Sequence, residues 1–210
     1  MTFEGFGTAA LDFYDDLEID NSKSFWDANK HVYTESVLTP MRSLTADLEP
    51  QFGAAKIFRP YRDVRFSGNK TPYKTQQGAF VSAADETGFY VELSARGVRI
   101  GGGFYHASPE RLAGYREAVA ADGSGRQLSR IVNQLRRAGF EIAGDRLKTR
   151  PRGVDPDHPR LELLRHRSLF AARMLGFDPV IHSADLVEVV RADWQSLRPL
   201  VEWVVRHTAN

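Results

Sequence analysis

Between residues 8 and 20 the apolar positions Leu11, Phe13, Tyr14, Leu17 and Ile19 recur mostly at three- and four-residue intervals, as an amphipathic helix requires. Asn21 or Ser22 is placed to cap a second helix, which carries Phe25, Trp26, Val32, Tyr33 and Val37. Pro40 reads as the first turn of a third helix through Met41, Leu44 and Leu48, and Gly53 ends it. The pattern then shortens to β-type runs over residues 57–58, 61–66, 78–82, 89–94 and 98–100, separated by Gly, Asn, Pro and Asp. Such runs predict an antiparallel meander. Its clearest hairpin turns at Ala95-Arg96-Gly97, because so short a Gly-containing loop joins only antiparallel neighbours.

Beyond the glycines at 101–103, Ser108-Pro109-Glu110 is a helix start leading through Leu112, Tyr115 and Val119. A further helix covers 128–135 and closes at Gly139. Residues 140–157 are irregular and rich in Gly, Pro and charge, which marks a functional loop more than a linker. A short helix at 159–164 and a strand at 168–175 follow. From Ala184 the apolar residues Leu186, Val189, Val190, Trp194, Leu197, Val201, Val204 and Val205 are helically spaced, with Pro199 kinking that helix or restarting it. The expected fold is α+β: N-terminal and C-terminal helices packed on a central antiparallel β-meander, all within a single domain, 1–210. Trp26, Tyr33, Trp194 and Trp203 lie on apolar stripes and are expected in the core.

Composition narrows the chemistry. The chain contains no cysteine, which excludes disulfides, thiol nucleophiles and Cys-ligated metals. The six histidines show no metal-ligand spacing, so neither a metal nor a cofactor is expected. No segment approaches the ~20 apolar residues of a membrane span, and the first residues have no leader-like pattern, so the expected location is cytoplasmic. The net charge of +1 gives no global field toward DNA or a membrane, yet the charge is unevenly distributed. Residues 1–54 carry −7, residues 56–74 carry +5, and residues 146–152 hold four bases and no acid.

The stretch Arg62-Asp63-Val64-Arg65-Phe66-Ser67-Gly68-Asn69-Lys70-Thr71-Pro72-Tyr73-Lys74 is the most information-dense in the chain. As a strand, residues 61–66 place Arg62 on the apolar face with Val64 and Phe66, and a buried guanidinium needs an anionic or carbonyl partner. The following turn offers backbone N–H groups, a hydroxyl and an ammonium, the ingredients of a phosphate or carboxylate pocket. It is not a P-loop: Lys70 follows no Gly and Pro72 opposes a helix. Gly101-Gly102-Gly103 does not complete a dinucleotide fingerprint and reads as a place of close backbone approach. A second basic motif, Leu147-Lys148-Thr149-Arg150-Pro151-Arg152-Gly153, is stiffened by Pro and Gly and trailed by Asp157-His158-Pro159.

The segment read as R-D-x-R-F-S-x-N-K-x-P-Y-K resembles the signature of a family of conserved hypothetical bacterial and fungal proteins, the domain of unknown function numbered 2461. The resemblance extends through Phe6, Leu17-Glu18, residues 21–33, 101–105 and 147–153, and Asp157-His158-Pro159, departing at Phe25-Trp26, where the order Trp-Phe is expected. It implies a grouping and a domain extent, and no activity, cofactor or catalytic residue.

The leading reading is a binding or enzymatic site for a small phosphorylated or carboxylated ligand. It sets Arg62, Arg65, Lys70, Tyr73 and Lys74 across one cleft from Lys148, Arg150 and Arg152. Were it enzymatic, Asp63 or His158 would supply the acid–base group, although Asp63 is first expected to pair with Arg65 or another base, and His158 to serve as a helix cap or a surface residue. The alternatives are a nucleic-acid-binding module with Tyr61 and Tyr73 as stacking platforms, and a non-catalytic protein-interaction domain whose arginines pair with internal carboxylates. Residues alone do not choose among them and do not give the oligomeric state.

Overall fold

The computed structural model describes residues 2–63, 68 and 70–208. Its elements in order are α1 (Thr8–Ile19), α2 (Lys23–Val32), a π-helical segment (Tyr33–Leu38), α3 (Thr39–Phe52), β1 (Ala55–Ile57), β2 (Gln76–Ala84), β3 (Thr87–Ser94) and β4 (Gly97–Phe104). There follow α4 (Pro109–Ala120), α5 (Asp122–Arg137), β5 (Glu141–Ala143), α6 (Leu161–Leu164), β6 (Leu169–Gly176), a 3₁₀ turn (Pro179–His182) and α7 (Leu186–Thr208). The six strands form one antiparallel sheet in the order β1-β2-β3-β4-β6-β5, and the fold is α+β as expected.

The chain divides into two compact units of interleaved sequence. The first comprises Met1–Val81, Tyr90–Ile100 and Met174–Ala192, and the second Ser82–Phe89, Gly101–Arg173 and Asp193–Asn210.

In the first unit the Ser22 hydroxyl accepts from Phe25 N–H and starts α2. The second and third expected helices prove continuous. Val32, Tyr33, Leu38 and Thr39 are all in right-handed helical conformation, and Thr39 N–H reaches back five residues to the Thr34 carbonyl. A proline ring inside a helix crowds the carbonyl four residues before it. The widened π turn carries the helix past Pro40 without a break. Leu11, Phe13, Tyr14, Leu17, Trp26, Tyr33, Val37, Met41, Leu44 and Leu48 are all buried. Two polar ties join these helices to later chain: the Asn21 amide to the Tyr73 backbone, and the Tyr33 hydroxyl to Gln77 Oε1 at 2.6 Å. Burial raises the Tyr33 pKa to about 12, so it stays a neutral donor.

These helices are therefore expected to be inseparable from the strands that follow. Limited proteolysis should show no early cut near Ala54-Ala55 that leaves residues 55–210 folded and soluble; a stable remainder of that kind would make residues 1–54 an independent domain.

In the second unit Ser108 caps α4 by accepting from Arg111 N–H, with Pro109 in the first turn. Phe104 packs on Tyr115, Tyr115 edge-on against Trp203, and Phe89 on Trp194, at centroid distances of 5.2, 6.0 and 5.6 Å. The β2–β3 turn at Asp85-Glu86 puts Glu86 at a φ of +49°, and Arg111 holds it by donating to the Asp85 carbonyl and to Thr87 Oγ1. Three expectations are corrected here. The glycines at 101–103 belong to strand β4 itself, with Gly103 at a φ of +146° against the Leu169–Phe170 backbone, which confirms the close approach. The region after residue 139 is not wholly irregular, since β5 pairs with β6 and Arg146 bridges to His166. Helix α7 continues on both sides of Pro199 instead of restarting there. No described helix is long and apolar enough to cross a membrane.

Candidate functional site

The first basic motif grows out of the sheet edge. Strand β1 pairs antiparallel with β2, Lys56 opposite Phe80 and Ile57 opposite Ala79, and Phe58 N–H continues the ladder to the Gly78 carbonyl. The chain then leaves the sheet as a narrow stalk. Tyr61 bridges Tyr73, Arg62 N–H donates to the Pro72 carbonyl, and Lys74 N–H donates to the Pro60 carbonyl, the last two at 2.8 Å. Both ends of the stalk are fixed. Asn21 binds Tyr73 N–H through Oδ1 and the Tyr73 carbonyl through Nδ2, while Gln77 Nε2 donates to the Phe58 carbonyl at 2.8 Å.

Side chains alternate between the two faces of such an extended pair. Tyr61 and Tyr73 take one face, where Tyr73 lies flat on Trp26 with centroids 4.4 Å apart and planes 8° from parallel. Lys56, Phe58, Arg62 and Lys74 take the other. The ammonium groups of Lys74 and Lys56 stand 5.4 and 5.9 Å from the Phe58 ring centroid. The Arg62 Nε is buried and has no hydrogen-bond partner. Burial, then Arg59, then Arg62 push the Lys74 pKa below that of an ordinary lysine. Among the described residues Lys56, Arg59, Arg62 and Lys74 form no ion pair. Four bases thus share one small region around an aromatic ring without a carboxylate between them.

Of the residues expected here, Arg65 lies outside the described residues, as do Val64 and Phe66 of the expected strand. Lys70 and Asp63 are exposed. Arg62 is not paired with a carboxylate of the N-terminal helices, contrary to the ion-pair alternative. Tyr73 is only 5% exposed and one ring face is covered by Trp26, so as a stacking platform for bases it is corrected; Tyr61, 46% exposed, keeps an open face. Of the reversed pair Phe25-Trp26, it is Trp26 that is buried. Lys56 and Arg59 went unassigned in the sequence, although the block of six bases over residues 56–74 included them.

The second basic motif lies in the other unit. Arg165 organises it: Nε donates to the Leu147 carbonyl at 2.9 Å, an Nη to the Lys148 carbonyl at 2.8 Å, and the other Nη to Glu162 at 3.0 Å. Leu147 N–H returns a bond to the Arg165 carbonyl, and Arg146 approaches Glu162 at 3.8 Å. With the backbone so held, Lys148, Arg150 and Arg152 project exposed and without partners among the described residues. His158 Nδ1 accepts from Arg160 N–H at 3.1 Å, a capping bond at the approach to α6. Burial, above all, holds the neighbouring His166 below the usual histidine range, and its Nδ1 faces the Ser168 carbonyl at 2.8 Å.

This unit also contains a cleft of about 540 Å³ lined by Tyr105, His106, Pro109, Leu112 and the Asp145–Arg167 ion pair. The N-terminus of α4 beside it is occupied, because Ser108 caps it and the Glu110 carboxylate bonds its own backbone N–H and the Ser108 hydroxyl, which lowers its pKa. Among the described residues no group of three or more His, Asp or Glu is arranged to hold a metal ion.

No curated protein matches the chain. A crystal structure of an uncharacterized protein from Methanothermobacter thermautotrophicus is similar to it at 13% identity and a TM-score of 0.42, over 80% of this chain and 99% of the other. The family model described as "Conserved hypothetical protein (DUF2461)" matches residues 9–203, and the chain belongs to that family.

Proposed function

We propose that the chain binds a small phosphorylated or carboxylated ligand on the face that carries Lys56, Phe58, Arg62 and Lys74, with Arg59 near enough to act on Lys74. The observation that carries this reading is the buried, unpartnered Nε of Arg62 among three further bases. A buried donor left unsatisfied costs about 1–3 kcal/mol, and mutually repelling bases add to that cost. An anion seated among them relieves both. Charge-assisted hydrogen bonds to guanidinium are the strong ones, and Arg presents them in a fork matched to phosphate and carboxylate oxygens. The limited stacking surface, Tyr61 without Tyr73, favours a compact ligand over a nucleic-acid strand. The proposal rests on the first motif alone; the exposed cations Lys148, Arg150 and Arg152 are a separate anion-binding candidate in their own unit.

Binding stabilises the folded state in proportion to the logarithm of ligand saturation, about 2.7 kcal/mol at one hundred times Kd. For a domain of this size that is a rise in melting temperature of roughly 5–11 °C. Phosphate or sulfate replacing chloride at constant ionic strength is expected to give a rise of this kind, and Arg62→Ala is expected to remove it. An equal rise in Arg62→Ala would dismiss the site. Lys148→Ala reports on the second loop by itself.

A further inference from the structure

Building on that anion-binding reading, we infer that the Lys74 amine is a nucleophile that condenses with the carbonyl group of an anionic aldehyde or ketone whose phosphate or carboxylate is held by Arg59 and Arg62.

The placement supports it first. The Lys74 backbone is pinned by its bond to Pro60, and its neighbour Tyr73 is held by Asn21 and by the stack on Trp26, so the side chain starts from a fixed base. Its ammonium lies 5.4 Å from the Phe58 centroid and has no carboxylate partner. The charged groups around it are Lys56 from β1 and Arg59 and Arg62 from the stalk. On the sheet side Phe58 packs near Tyr90 at 6.3 Å, whose hydroxyl donates to Glu92 at 2.7 Å. Cations that bind an anionic substrate also disfavour the ammonium beside them, the standard way of activating a lysine. Burial and the two arginines act on Lys74 in that direction, enlarging its share of free amine at neutral pH. Lys56, over the same ring, is exposed.

The step is balanced without any further reagent. The Nζ lone pair attacks the carbonyl carbon, the displaced π electrons go to oxygen, and a proton passes from the now cationic nitrogen to that oxygen to give a neutral carbinolamine. The nitrogen lone pair so restored then forms the C=N bond as the hydroxyl takes a proton from solvent and leaves as water. The product is an iminium, a cation that the Phe58 face can hold as it held the ammonium.

Pyridoxal 5′-phosphate, an aldehyde bearing a phosphate, is the probe, with unphosphorylated pyridoxal as its comparison; borohydride fixes any imine as a secondary amine for peptide mapping. The chain has six lysines, Lys23, Lys30, Lys56, Lys70, Lys74 and Lys148. At substoichiometric probe the adduct is expected on Lys74 ahead of the other five. Arg62→Ala, which removes a charge-assisted anchor, is expected to lower that labelling about tenfold or more, and to affect pyridoxal far less. Lys74→Arg keeps the charge and is expected to retain the phosphate-induced rise in melting temperature while losing the adduct. Adducts spread over the exposed lysines without preference for Lys74, in a protein whose melting temperature still rises with phosphate, would overturn the nucleophile and leave the anion site standing. No phosphate-dependent rise in the parent protein would remove the anion site itself.

Discussion

Gly97→Ala is expected to lower the melting temperature by roughly 6–12 °C, among the largest effects of any single change outside the basic motifs. Gly97 opens β4 after the Ala95-Arg96 turn at a φ of +95°, a conformation that L side chains rarely adopt. A Cβ at this position would also fall within bonding range of the Gly176 carbonyl oxygen, at the end of the neighbouring strand β6. The atom in the way is backbone and no rotamer change clears it, so β4 and β6 would have to separate locally. Backbone strain and overpacking each cost about 1–3 kcal/mol, and together at least about 3 kcal/mol. Gly53 supplies the comparison. It shares the φ of +95°, but its nearest neighbour to an added Cβ is a Val81 methyl at 3.9 Å, an ordinary contact. Gly53→Ala should therefore show the backbone cost alone. Equal melting temperatures for the two variants would mean that the Gly176 contact yields at no cost.

What the sequence made legible follows from which interactions have a sequence signature. Helices α1, α4 and α7 were readable because a buried stripe repeats every three to four residues, and Ser22, Gly53 and Ser108 marked the start of α2, the end of α3 and the start of α4. The continuity of residues 23–52 was not readable, since a π turn that spares Pro40 leaves no compositional trace. The tight form of the β2–β3 turn, which the meander placed only within residues 83–88, was not readable for a related reason. It sets Glu86 at positive φ where Gly or Asn is usual, and Arg111 from a later helix supports it. At the candidate site the charge block was plain from composition, and so was the need of Arg62 for a partner. Which face each base would take was not, because it depends on a bridge between Tyr61 and Tyr73 that only the fold creates. Arg165 escaped notice because its acceptors are mostly backbone carbonyls, which are the same at every position in the sequence. Tyr73 looked like a free aromatic because Trp26, which covers it, is far away in the chain.

Arg173→Met is expected to destabilise the protein by about 3 kcal/mol at neutral pH, with the deficit shrinking as the pH falls. Asp193, where the second unit's part of α7 begins, is 4% exposed, and its carboxylate accepts from Arg173 Nε at 2.6 Å. Breaking a buried pair from one side leaves a charge uncompensated and costs about 3–5 kcal/mol; the Arg173 side chain is 34% exposed, so solvent screening puts this case at the low end. Met keeps much of the aliphatic volume near the Phe140 ring, over which Arg173 now stands at 5.5 Å. Two influences already compete at Asp193: burial raises its pKa, and Arg173 lowers it by charge and by hydrogen bond, with burial prevailing. The folded chain thus holds this proton more tightly than the unfolded chain. Raising the pH from the ordinary aspartate value through the raised one therefore costs stability, and removing Arg173 moves the upper edge of that window higher still. Melting curves at pH 5 and pH 7.5 should show the Arg173→Met deficit larger at pH 7.5. Arg173→Met/Asp193→Leu, which removes the stranded charge, should recover a good part of the loss at pH 7.5. A deficit that is the same at both pH values, together with no recovery in the double variant, would mean that Asp193 is not held as a buried charge and that Arg173 contributes only its packing.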